Sequence, residues 1–393
     1  MHRFTLRIFA TLVLLSLLLS SCSVLEMIQQ SAFPSQENEP PATSEPALLA
    51  PEPAVPAETE TQPAAHGELP DAPAGEPQII GPETAILLRE VIQIKIENPY
   101  RLTWSQDGTR IALAWLKIDP QNEKPPQSGL SLLDANTLET LSTVVVQEPI
   151  TVLDFSPSTG LMATTSDQMN LELREIQTGQ IVRTISPDNG FSNAVFSTDG
   201  SMVAVSSWDA IAITLWNTVS GEEIKKLTGF ETAAPVYGAT FSSDDRFLIW
   251  VARGSAQVMT ISSGGMGAFL GHEDFIGEAK LSPDGHFLAV TTAGTVNNEY
   301  TPIVQIWDAT SGQAMGTLVE GNSVSQSLAF SPDGSLLVIT QFNELSIWDF
   351  EKQTKLHSLS GHLDMISSVA FSPDGRSLVS ASADGTVRLW QAR

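Results

Sequence analysis

From residue 84 onward, apolar residues come in short runs broken by Ser, Pro, Asp and Gly, which is the texture of strands and turns. One unit recurs: an apolar stretch, an aromatic residue or Leu, then Ser, then a turn like Pro-Asp-Gly. It reads LTWSQDG (102–108), LDFSPSTG (153–160), AVFSTDG (194–200), ATFSSDD (239–245), AKLSPDG (279–285), LAFSPDG (328–334) and VAFSPDG (369–375). Its aromatic or Leu positions are Trp104, Phe155, Phe196, Phe241, Leu281, Phe330 and Phe371, spaced by 51, 41, 45, 40, 49 and 41 residues. Pro presets the first corner of a turn, Asp bonds locally and Gly takes a positive φ, so each copy predicts a β-hairpin.

A second and a third strand follow each turn, and in four copies the third strand ends in Trp: ITLW216, VQIW307, LSIW348 and VRLW390. Asp308 and Asp349 follow two of these, and a fourth short strand leads to Gly271-His272 and Gly361-His362. Four short strands per repeat, with Gly-His and Trp-Asp pairs, resemble the WD40 repeat. The resemblance covers roughly residues 84–393. It is degenerate in copies 1, 2 and 4, where the third strands read LSLLD, LELRE and AQVMTI. It implies an all-β chain, a seven-bladed WD40-like β-propeller. Only Gln391, Ala392 and Arg393 follow VRLW390, so the seventh copy lacks its fourth strand. In the family an N-terminal strand closes the ring. The segment AILLREVIQIKI (85–96), with Val91, Gln93 and Lys95 alternating against Ile92, Ile94 and Ile96, is the expected closing strand.

By the same resemblance, His362, Ser382, Asp384 and Trp390 form the structural tetrad of the last blade. They read as a fold-holding network rather than a Ser-His-Asp triad, because no GxSxG elbow accompanies them. His272 and Trp307 suggest a partial version in the fifth copy. The third keeps Ser207, Asp209 and Trp216, with Phe230 where His is expected. The six histidines lack zinc-like spacing, and there is neither a DxDxDG loop nor a glycine loop for phosphate. No metal, cofactor or catalytic residue is therefore expected. Two links between second and third strands are enlarged, 116–129 and 291–302, and family geometry puts them on the face of the Gly-His turns. Candidate partner-binding residues are Trp208, Trp115 and Tyr300, with packing against a neighbouring blade as the competing role.

The amino terminus has a different texture. Arg3 and Arg7 precede an apolar run, Ile8 to Leu19, that is too short for a transmembrane helix of about 20 residues and suits a secretory signal. Leu19-Ser20-Ser21-Cys22 resembles the lipobox of bacterial lipoproteins, which implies lipidation at Cys22 and cleavage before it. Cys22 is the only cysteine, so no intramolecular disulfide forms. Twelve of the 24 prolines lie between Pro34 and Pro82, and no Lys or Arg occurs from Ile8 through Leu88. Such a stretch buries too little apolar surface to order itself, and at ~3.1 Å per residue it extends at most about 190 Å.

The expected organisation is a signal peptide at 1–21, a lipidated Cys22 with a disordered linker to 83, and the propeller at 84–393. The chain carries a net charge of −25, and residues 84–393 hold 34 acidic against 18 basic residues, which argues against nucleic acid. The function expected is a membrane-anchored, extracytoplasmic protein-interaction scaffold, monomeric and without enzymatic activity. Its alternatives are a propeller enzyme or accessory domain acting on peptide or glycan, and a cell-envelope assembly factor.

Overall fold

The computed structural model describes residues 76–393, apart from 119–125, 147–149, 168, 188–189, 208–211, 229–235, 253–254, 272–277, 297–298 and 320–326. The expected signal peptide, Cys22 and most of the expected linker lie outside the described residues. Among the described residues, twenty-eight strands make seven four-stranded antiparallel sheets, the blades of a propeller. Six blades take their strands consecutively from the chain. The seventh combines Ile366–Phe371, Ser377–Ser382 and Thr386–Ala392 with the closing strand Leu88–Lys95.

The core lies between blades. Among the described residues there are seven apolar clusters, one at each junction of neighbouring blades. The middle strands consequently read as unbroken apolar runs: Ile111, Ala112, Leu113 and Ala114 are all buried, because both faces of the sheet are covered. Outer strands alternate with solvent, as in Thr140–Val146.

In every blade the repeated turn links the inner strand to the next strand, and the turn has a mechanism. In six blades the Ser hydroxyl donates to the Asp carboxylate two residues on, at 2.5 to 2.7 Å. The same oxygen accepts the backbone N–H five residues on, at 2.9 or 3.0 Å. These bonds close the hairpin and leave no buried polar atom of the turn unpaired. They also draw the carboxyls of Asp107, Asp199, Asp244, Asp284 and Asp333 below the usual carboxylate range. In blade 2, Ser158 stands where the Asp would be, and Thr159 donates to Ser156 instead, at 2.7 Å.

Inner strands of neighbouring blades belong to separate sheets, so several of their N–H groups find side-chain acceptors across the junction. Leu102 donates to the Ser368 hydroxyl, Val152 to the Tyr100 hydroxyl, Phe196 to Asp154 and Leu328 to Glu278. Arg101 approaches Asp154 to 3.6 Å, and Lys280 approaches Glu278 to 3.3 Å. Burial pushes the Asp154 carboxyl up despite Arg101 and its backbone bond. These charges line a cavity of about 460 Å³ between the inner strands. Arg101 with Asp154, and the bonds to Phe196 and Leu328, staple neighbouring blades, while Lys280 and Glu278 pair within blade 5.

The closing strand pairs antiparallel with Thr386–Ala392, in the register Leu88↔Ala392 through Lys95↔Thr386. Val91, Ile92, Ile94 and Ile96 pack against the junction of blades 7 and 1, and a register shift between Glu90 and Ile92 brings Val91 to that side. The expected strand start at 85 is corrected, because Ala85–Leu87 is a 3₁₀ turn. The boundary at 84 moves as well. Gln78 bridges to Ala392, Ile80 N–H donates to Gly375 at 2.8 Å, and Arg376 donates to the Pro77 carbonyl. Ile80 is 1% exposed, so the propeller already holds the chain at Pro77. One apolar pair set between prolines carries too little periodicity to be read as structure.

The expected enlarged loop at 291–302 is also corrected. It is the tip of a long hairpin, Phe287–Val296 paired with Glu299–Asp308. Thr and Val on both arms, with Tyr300 on the second, favour extended backbone, and the insertion lengthens the strands.

Candidate functional site

The densest polar constellation lies in blade 7 and comes from three elements. His362 precedes the inner strand, Ser380 sits on the second strand, and Asp384 and Trp390 flank and occupy the third. The Trp390 indole N–H donates to Ser380 Oγ at 2.9 Å, and Ser380 Oγ lies 2.7 Å from His362 Nε2. His362 Nδ1 lies 3.0 Å from Asp384, which also accepts Leu363 N–H at 2.9 Å and the Thr386 hydroxyl at 2.6 Å. Burial pushes the His362 imidazole below its ordinary range, outweighing the pull of Asp384. Burial alone would raise Asp384, but its bonds from Thr386, Leu363 and His362 bring its carboxyl below the usual range. A neutral imidazole then donates from Nδ1 to Asp384 and accepts the Ser380 proton at Nε2.

Ser382 is a correction. Its hydroxyl donates to the Asp364 carbonyl at 2.8 Å and takes no part in the indole bond. Ser380 and Ser382 share one face of the strand, and Ser380, paired with Arg388, is the one that Trp390 reaches. The order serine, histidine, aspartate reproduces the distances of a hydrolytic triad. Ser380 is 0% exposed and its oxygen is already taken by an indole, so no acyl group can approach it. This network holds the blade together.

Other blades vary the device. In blade 2, Arg174 takes the place of the Trp and donates to Thr164 at 3.2 Å, to Glu172 at 2.6 Å and to the Gly179 carbonyl at 2.9 Å. In blade 3 the register puts Val205, not Ser207, where Ser380 stands in blade 7. Trp216 Nε1 is consequently buried with no partner among the described residues. Asp209, Phe230 and His272 lie outside the described residues.

Of the candidate partner-binding residues, Trp115 takes the packing role. Its indole lies flat on Gly129, where a Cβ would come within 2.0 Å of the ring. Its N–H donates to Ser131 Oγ at 3.0 Å, which in turn bonds Thr143. Tyr300 pairs with Thr295 in the long hairpin, and Trp208 lies outside the described residues. Among the described residues, no three His, Cys, Asp or Glu side chains are grouped to hold a metal.

The surface holds two residues that the sequence reading did not single out. Phe342 is 51% exposed at a positive φ of 49°, and Leu363 is 82% exposed beside the buried His362. A Phe-Asn pair between apolar runs, where a tight turn wants Gly or Asn first, is the signal that marks Phe342.

Residues 353–391 match the family described as WD domain, G-beta repeat. That span runs from the outer strand of blade 6, Thr354–Leu359, into the last chain-consecutive strand of blade 7. Protein tipD of Dictyostelium discoideum is 34% identical over 88 residues, 22% of this chain and 14% of that protein. Human serine-threonine kinase receptor-associated protein is 32% identical over 127 residues, 32% of this chain and 34% of that protein. Human WD repeat and SOCS box-containing protein 1 is 36% identical over 90 residues, 22% of this chain and 21% of that protein. The matches thus span about a third or less of these curated relatives. The last blade carries a WD-type repeat, and the ring around it is a seven-bladed propeller.

Proposed function

We propose that this chain is a lipid-anchored scaffold that presents its propeller to a protein partner outside the cytoplasmic membrane. The observation that carries the scaffold reading is the burial of the blade 7 constellation. Its serine, histidine and aspartate are spent on one another. The WD-type repeat and the relatives that share it agree with this reading, and one relative is named for association with a receptor. The anchor reading rests on the lone thiol, Cys22, directly after an apolar run and Ser-Ser. The acidic balance of residues 84–393 favours a protein partner over nucleic acid.

Cross-linking on intact cells followed by affinity purification of this chain is the test. A reproducible protein partner is the expected result. Hydrolysis of peptide or glycan substrates by the purified chain, with no partner recovered, would overturn the scaffold reading in favour of an enzyme.

A further inference from the structure

The turns of blades 6 and 7 combine rigidity, exposed apolar surface and one sign of charge. Gln341 pairs with Glu344, so Phe342 and Asn343 form a two-residue hairpin link. Phe342 takes the positive φ at its first position, a place that favours glycine. Its ring belongs to none of the seven apolar clusters, so packing within the ring does not account for a phenyl group there. A strained backbone that holds a half-exposed aromatic is a reason to look for function.

Leu363 stands on the adjacent turn, and the two turns are tied together. Ile366 N–H donates to the Phe342 carbonyl at 2.6 Å, and Asn343 Nδ2 donates to the His362 carbonyl at 3.1 Å. Leu363 N–H is held by Asp384, itself fixed by His362 and Thr386. Two apolar side chains are therefore presented on backbone that is already ordered, which lowers the entropic cost of binding.

Charge selects the occupant. The turns 341–344, 360–366 and 382–386 contain Glu344, Asp364 and Asp384 and no Lys or Arg. Asp384 is committed to its network, while Glu344 and Asp364 flank the apolar pair. An anionic membrane would be repelled here, and a second copy of this chain would bring like charges together. We propose that the junction of blades 6 and 7, on the face carrying Phe342 and Leu363, docks a partner segment whose apolar side chains are flanked by lysine or arginine. This inference rests on the scaffold reading and names the partner chemistry of that surface.

The test measures fluorescence anisotropy of labelled nine-residue peptides with the full chain held in phosphatidylcholine nanodiscs. One peptide alternates lysine with leucine and phenylalanine, a second alternates lysine with serine, and a third alternates glutamate with leucine and phenylalanine. The first should bind saturably and at least about tenfold tighter than the other two, with Phe342→Gly and Leu363→Ser each weakening it by about tenfold, the scale of an interface anchor. Phe342→Gly should melt at or above the wild-type temperature, because glycine relieves the positive φ. No binding of the first peptide, equal binding of the lysine-serine peptide, or unchanged affinity in both variants would each overturn the proposal. So would a fall in melting temperature for Phe342→Gly, or a Phe342-dependent association with phosphatidylglycerol vesicles or with a second copy. Recovery of a partner from intact cells decides the scaffold reading separately, so either can fail without the other.

Discussion

Thr164, Val205 and Ser380 occupy equivalent places in blades 2, 3 and 7, and only Val205 offers no acceptor to the residue beside it. A buried N–H without a partner costs about 1–3 kcal/mol, so Trp216, unpartnered among the described residues, weakens blade 3. Val205→Thr keeps the shape and supplies a hydroxyl. It should stabilise the chain by roughly 1 kcal/mol in urea unfolding. The gain should vanish in a Trp216→Phe background; an equal gain in both would show that the indole bond is not its source. His362 makes a second residue-scale prediction. Its imidazole is depressed below the unfolded value of about 6.5, so the unfolded chain takes up the proton first and stability falls as pH drops below that value. The loss in melting temperature between pH ~7.5 and ~5.5 should shrink in His362→Asn, and an undiminished loss would place the pH dependence elsewhere. The sequence marks His362, Asp384 and Trp390 through Gly-His and the terminal Trp. It does not separate Ser380 from Ser382, since both lie on one strand face and only the pairing register decides between them.

At the scale of elements, the hairpins and the closing strand are legible because the Ser-x-Asp turn, kept in six of seven copies, has a fixed chemistry and the last copy visibly lacks a strand. The clasp upstream was hidden. Pro77 and Pro82 look like linker, yet between them Ile80 is fully buried and both Gln78 and Ile80 bond the seventh blade. Ile80→Ala should cost about 2–4 kcal/mol, the usual range for a buried aliphatic truncated to alanine. Deleting 77–97 should lower the melting temperature of the whole ring, because two sheet edges open and the face formed by Ile92, Ile94 and Ile96 is lost. Deleting 23–75 should leave it nearly unchanged. Scanning calorimetry on the three variants checks this, and a silent Ile80→Ala would return residues 77–83 to the linker. Residues 291–302 look like a loop because their length breaks the repeat spacing, although the residues favour strand and form the tip of the hairpin.

At the scale of the molecule, the proposed anchor at Cys22 would tether a closed ring of seven blades. The polar residues that resemble catalytic machinery stabilise blades, and the surface supplies what a partner would meet. The most direct measurement is fractionation of cells expressing wild type and Cys22→Ala in parallel, with labelling by a fatty-acid analogue. Wild type should be labelled and sediment with membranes. Cys22→Ala should be unlabelled and soluble, with an unchanged melting temperature for the ring. Labelling and membrane retention equal to wild type in Cys22→Ala would contradict the anchor.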